Sequence, residues 1–278
     1  MNELVVGVDG SDQSRSALRW AGALAGTART ELRVVEVWSG GDPAAAHQTG
    51  EQVTAELAEY GRAALAGVTP EPQVGFEALH GGAAEALLKR VTADSGLVLG
   101  SRGRGGFLGL LLGSVSRACI EHARCPVMIV RQEEPPQLAG SSILVGHDGS
   151  PAARRALEWA VELSRLVPAK VMAAYIWQAN ASEVRPTLHD RLVNDATKSI
   201  ESWAGEVSAD VEPIEVEGEP RMELVRLAER HDAGLLVVGR RGKGTIRALR
   251  MGSVASYLVT SSPIPIAVTP PPAGGDRA

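Results

Sequence analysis

Aromatic residues are scarce in this sequence: two Phe, three Tyr and five Trp make up 4% of its 278 residues. A core must therefore be filled by Val, Leu, Ile and Ala, which suits buried parallel strands covered by Ala-rich helices. Cysteine is rarer still. Cys119 and Cys125 both lie in the first half, which argues against a disulfide framework, and no His or Cys stands near them in a zinc-binding pattern. They are read as reduced structural thiols. No apolar run approaches the roughly 18 residues of a membrane span, and Leu4 to Val8 begins a strand pattern where a signal peptide would sit. The expected location is the cytoplasm. An excess of positive charge is also missing, and a net charge of −5 gives no general attraction to nucleic acid or an anionic membrane. With 44% hydrophobic and 22% charged residues the chain is globular, and its length favours two domains of ordinary size.

What stands in place of these features is a repeat. VGVDGS at Val6–Ser11 returns as VGHDGS at Val145–Ser150, so that Asp9 and Asp148 are 139 positions apart. Trp20 and Trp159, Trp38 and Trp177, Gly100 and Gly239, Gly103 and Gly242, Gly113 and Gly252, and Ser114 and Ser253 share that offset. The copies slip by one residue before the fourth strand, where Glu85 matches Glu223, and then return to register. A duplication explains these matches and puts the domains at residues 1–131 and 141–270. Between them Arg131 to Ser141 is polar, contains proline and has no periodicity, so it reads as a linker. The tail from Thr269 has no reason to fold.

Within each copy strand and helix alternate. In the first, strands are expected over Leu4 to Val8, Leu32 to Val37, Gln73 to Ala78, Leu97 to Leu99 and Val127 to Val130. Helices are expected over Ser14 to Ala28, capped by Ser11 or Asp12, and over His47 to Leu65, Ala83 to Ala93 and Ser114 to His122. This alternation predicts an α/β fold with two tandem domains. Each is a five-stranded parallel sheet of order 3-2-1-4-5, with right-handed crossovers and helices on both faces. The chain reverses direction between strands one and four, which is where open α/β sheets hold their ligands.

The end of the fourth strand carries the most informative stretch. GSRGRGGFLGLLLGSVS runs from Gly100 to Ser116, and its copy GRRGKGTIRALRMGSVAS from Gly239 to Ser256. Both fit the spacing G-x2-G-x9-G-S. Glycines after a buried strand permit close backbone approach, and the final Gly-Ser opens a helix. Free N–H groups at that helix start, with the positive end of its dipole, suit a phosphate. Ser114 and Ser253 add hydroxyls. Arg102, Arg104, Arg240, Arg241 and Lys243 lie in or beside the loops, where they either offset phosphate charge or are solvated surface charges. Ser101, Gly105, Gly106, Ser116 and Gly244 complete the loop candidates. Across the switch point stand Asp9 and Asp148. A carboxylate there accepts hydrogen bonds from ribose hydroxyls, helps hold a metal near phosphates, or caps the next helix.

The strand-end Asp followed by Gly-Ser, together with G-x2-G-x9-G-[ST], resembles the ATP-binding class of universal stress proteins, twice over nearly the whole chain. The resemblance implies Rossmann-like domains of the HUP, adenine nucleotide alpha hydrolase-like type. It also implies an adenine-nucleotide site in each copy, holding ATP with magnesium as an accompanying ion, with the Asp toward the ribose. Gly7 and Gly146 would then flank the site, and Val37 and Ile176 would border adenine through their backbones. Gly100, Gly103, Gly113, Ser114 and Val115, with Gly239, Gly242, Gly252, Ser253 and Val254, would hold ribose and phosphates. It further implies that the halves form an intramolecular pseudo-dimer through their last strands, and that whole chains form homodimers.

The loop is neither a P-loop nor the dinucleotide fingerprint, which follows the first strand rather than the fourth. There is no G-x-S-x-G elbow and no H-E-x-x-H motif. His147, in place of Val8, has no paired base or nucleophile and is read as a tolerated histidine. Arg247 and Arg250 are basic where the first copy has Leu108 and Leu111. The expected protein is not an enzyme but a nucleotide-binding regulator whose ligand shifts conformation or partner affinity. A slow ATPase and a nucleotide-free interaction scaffold are the alternatives. The protein partner is unknown.

Overall fold

A computed structural model describes residues 1–38, 49–103, 111–135, 137–178, 210–243 and 249–272, together with 198, 202 and 205. The chain divides into two units, Met1–Gln137 and Leu138–Ala278. The first contains β1 (Glu3–Val8), α1 (Asp12–Ala28), β2 (Glu31–Trp38), α2 (Gly50–Leu65), β3 (Val74–His80), α3 (Ala83–Arg90), β4 (Ser95–Gly100), α4 (Ser114–His122) and β5 (Val127–Val130). Its strands lie in the order β3-β2-β1-β4-β5, each pair parallel. The central strands have helices on both sides, and Leu4, Val5, Val6, Leu97 and Val98 are all 0% exposed. Apolar runs of that kind are what a doubly covered parallel sheet requires.

The helix ends follow from local chemistry. Ser11, not Asp12, caps α1, its Oγ accepting the Ser14 N–H at 3.2 Å. The expected α2 start at His47 lies outside the described residues; the helix runs from Gly50 behind a reciprocal capping box of Thr49 and Gln52. The third helix ends at Arg90, short of the expected Ala93. Val91 is extended, and Ser95 Oγ accepts the Thr92 N–H at 3.1 Å, so these residues turn into β4 instead of continuing the helix.

The second unit repeats the plan. It contains β6 (Ser142–His147), α5 (Pro151–Ser164), β7 (Lys170–Trp177), β8 (Val211–Glu217), α6 (Pro220–Arg230), β9 (Ala233–Gly239), α7 (Ser253–Ser261) and β10 (Ile266–Thr269). Its strand order is β8-β7-β6-β9-β10, again parallel throughout. The helix expected between β7 and β8 lies outside the described residues. Part of the predicted linker belongs to this unit: Leu138 is buried, and the Gly140 N–H donates to the Pro168 carbonyl at 2.8 Å. Among the described residues no helix is long and apolar enough to cross a membrane. Burial pushes the thiols of Cys119 and Cys125 up to about 12, which leaves both protonated and unreactive.

Two glycines inside α1 let the neighbouring chain approach. A methyl group on Gly26 would overlap the Pro70 carbonyl, and one on Gly22 would overlap the Leu65 side chain. Helix propensity alone favours Ala over Gly by about 1 kcal/mol, whereas overpacking costs about 1–3 kcal/mol. Gly26 faces backbone, which cannot step aside as a side chain can, so packing decides the sign. Gly26→Ala is therefore expected to destabilise the protein in urea denaturation; a raised midpoint would contradict this account of the α1 contact.

Candidate functional site

In the first unit a cavity of about 540 Å³ opens at the C-terminal ends of β1 and β4. Asp9 leaves β1 there, and its Oδ1 accepts the Ser11 N–H at 3.1 Å and the Ser11 hydroxyl at 2.6 Å. The carboxylate thus orients the residue that caps α1. Its Oδ2 lies against Gly103, where any Cβ would overlap it. The Asp9 N–H donates to Ser14 Oγ at 3.3 Å, so the turn is held from both sides.

The glycine loop is pinched at its base. Ser101 donates its N–H to the Val130 carbonyl at 3.0 Å, which carries the β4–β5 ladder one residue further. The Ser101 carbonyl then accepts the Gly113 N–H at 2.7 Å. Ser116 Oγ donates to the Gly100 carbonyl at 2.8 Å. These bonds aim the start of α4 at the cavity. Its N-cap, Gly113, supplies no side-chain cap, so the first N–H groups of the helix face the space with their partial positive charge.

The second unit has the same construction around a cavity of about 340 Å³. Asp148 Oδ1 accepts the Ser150 N–H at 2.9 Å, and Oδ2 accepts the Lys243 N–H at 2.6 Å. A Cβ on Gly242 would overlap that carboxylate. The Arg240 N–H bonds the Thr269 carbonyl at 2.9 Å, and the Arg240 carbonyl takes the Gly252 N–H at 2.9 Å. Gly252 caps α7, again without a side-chain bond.

Of the residues predicted from sequence, Gly7, Asp9, Val37, Gly100, Arg102, Gly103, Gly113, Ser114, Val115 and Ser116 line the first cavity. Gly146, Asp148, Ile176, Gly239, Arg241, Gly242, Lys243, Gly252, Ser253 and Val254 line the second. Ser101 and Arg240 do not line them: both are buried, and their main chains extend the sheet and hold the helix cap. Arg104, Gly105, Gly106 and Gly244 lie outside the described residues. Sequence reasoning missed the cover. Ala83 and Leu87 on α3 close the first cavity, and Pro220 and Leu224 on α6 close the second. Val35 was legible from strand periodicity, since it shares a face with Val37; Tyr175 had no such signal. Among the described residues no three His, Cys, Asp or Glu gather as a metal-binding group.

The sequence model of the Universal stress protein family matches residues 1–131 and again 141–270. The chain belongs to the universal stress protein family. A universal stress protein of Mycobacterium tuberculosis is 29% identical over 307 residues, covering 95% of this chain and 94% of the relative. The crystal structure of a universal stress protein from Archaeoglobus fulgidus superposes with a TM-score of 0.66 at 20% identity, covering 97% of this chain and 98% of that one. A universal stress protein crystallised in complex with cAMP is 27% identical, covers 46% of this chain and 95% of that one, and has a TM-score of 0.37.

One residue of this family member sets its second cavity apart chemically. His147 is 4% exposed and lines the cavity, and its Nδ1 accepts the Gly149 N–H at 3.2 Å. Burial pushes its pKa down to about 4, against the pull of Asp148 and with Lys243 adding to the shift. In the unfolded chain the ring titrates near 6.5. Between those values the unfolded state binds a proton that the folded state refuses, so stability is full above about pH 6.5 and declines toward pH 4, by about 3 kcal/mol. His147→Val, the residue found at Val8, removes that slope. Equilibrium unfolding of both proteins from pH 7 to pH 4 reads it directly: parallel curves would show that His147 does not titrate in this way.

Proposed function

We propose that each half binds an adenine nucleotide, with ATP as the principal ligand, and that the protein acts as a nucleotide-dependent regulator rather than a turnover enzyme. The carrying observation is the same cradle built twice. In each half a strand-end carboxylate is set against a glycine loop, and a helix start without a side-chain cap faces the same cavity. The parts fit a nucleotide. The helix start and the Arg102 or Arg241 guanidinium suit phosphates. The apolar wall of Val35, Val37 and Leu87 in the first half, or Ile176 and Leu224 in the second, suits a base.

The carboxylates suit a ribose. An ionised carboxylate has about four acceptor sites, and Asp148 uses one on each oxygen for the Ser150 and Lys243 N–H groups. Acceptor capacity remains for a diol. The same carboxylate is already committed to main-chain donors that hold the turn and the loop, a positioning role that supports binding over hydrolysis. Magnesium fits best as an ion brought with the phosphates, since among the described residues each cradle supplies one carboxylate. The family resemblance adds a cytoplasmic location and homodimers to this reading, the latter appearing in light scattering as twice 29.1 kDa.

The test is acid extraction of gently purified protein, with the released nucleotide identified and counted per chain. Both cradles filled and turnover slow would give two ATP per chain; recovered ADP would favour the ATPase instead. Asp9→Ala with Asp148→Ala is expected to weaken binding while the fold persists. At a ligand concentration of about 100 times the dissociation constant, binding stabilises by roughly 2.7 kcal/mol per site. Wild-type protein that yields no nucleotide and shows no thermal shift with added ATP would leave the scaffold reading in its place.

A further inference from the structure

Just outside the first cavity stands a guanidinium that the loop motif does not include. Arg131 is the residue after β5, and its Nη1 donates to the Leu111 carbonyl at 3.0 Å. Leu111 lies two residues before the Gly113 cap of α4, and the intervening Leu112 lines the cavity together with Arg102. Arg131 is partly buried; that burial, and next the like charge of Arg102, press its pKa downward. Two guanidinium groups close enough to influence each other, both near a helix N-terminus, favour an anion there. The second half is arranged differently. At the 139-residue offset, Pro270 takes the place of Arg131, and the exposed Arg250 takes that of Leu111.

We propose that Arg131, together with Arg102, recognises the β- and γ-phosphates of the nucleotide in the first half, which therefore selects triphosphate over monophosphate more strongly than the second half does. The inference rests on the nucleotide reading of the cradle. An α-phosphate at the start of α4 leaves any further phosphates to run along the rim formed by Leu111 and Leu112. The Leu111 bond fixes the Arg131 guanidinium at that rim, and a fork held in place loses less freedom on meeting phosphate oxygens than a mobile one. Such contacts reward the charges that ATP has and AMP lacks, so Arg131 acts on the preference between nucleotides rather than on the base or the ribose.

The experiment is calorimetric titration of the full-length chain with ATP and with AMP. An Asp148→Ala background reports the first half and an Asp9→Ala background the second. Arg131→Gln is expected to lower the ATP-to-AMP affinity ratio of the first half by about tenfold or more, with Arg131→Lys intermediate. Pro270→Arg is expected to raise the ratio of the second half, a gain that damage to the fold cannot imitate. Ratios that stay within about twofold of their backgrounds for both Arg131→Gln and Pro270→Arg would overturn the assignment. Should wild-type protein bind neither ATP nor AMP, the nucleotide reading itself fails, and that outcome is distinct from ATP binding that ignores Arg131.

Discussion

Asp9 and Asp148 each stand where the chain leaves a central strand, and each carboxylate presses against a loop glycine arriving from the neighbouring strand. The contact exists because β1 and β4, and likewise β6 and β9, run parallel in adjacent positions, so their C-terminal ends finish side by side. In the second half one carboxylate oxygen holds the turn into α5 and the other holds the glycine loop. A single side chain thus fixes two segments that are remote in sequence. The loop in turn orients the next helix through the bond from the Gly252 N–H to the Arg240 carbonyl. A side chain at either glycine would push the carboxylate away and loosen the helix start along with it. Sheet order, carboxylate, glycine and helix cap are therefore one construction.

Much of this was legible before any coordinates. Strand and helix alternate with clear periodicity, and the duplication supplied a second reading of every element. The strand order expected from the alternation of strand and helix is the one observed in each unit, and most of the residues lining the cavities were legible from their places at strand ends. The failures have a common cause, which is tertiary context. Ser101 and Arg240 sit inside the glycine motif, but a motif does not say which way a side chain points. Their amides continue the ladder to Val130 and Thr269, which turns them into the sheet. Leu87 and Leu224 belong to amphipathic helices, and only the packed fold reveals that their apolar faces cover a cavity as well as a core. The third helix stops early because Ser95, the first residue of β4, takes the Thr92 N–H and so competes for the backbone.

The halves differ mainly in side chains and agree in backbone. Ser14, which accepts the Asp9 N–H, corresponds to Ala153, and Ser116, which bonds the Gly100 carbonyl, to Ala255. The second turn has a different support, since His147 Nδ1 takes the Gly149 N–H. The turn itself is preserved, with Gly10 at φ 77° and Gly149 at φ 75°. Alternative side chains thus stabilise one main-chain shape.

That division explains how one cradle can serve two halves with different properties. N–H groups at a helix start and the clearance over a glycine do not depend on which side chains surround them, so features built from backbone survive when neighbours change. Walls built from side chains do not. At the positions of Val8, Val35 and Glu36 the second half has His147, Ala174 and Tyr175, and its cavity is about 340 Å³ rather than 540 Å³. Replacing Val35 by alanine would enlarge the space, so the contraction comes from other parts of the wall, where an imidazole and a phenol now line it. Shape and charge around a ligand can therefore diverge between the copies while the carboxylate, the glycine and the helix start keep their arrangement.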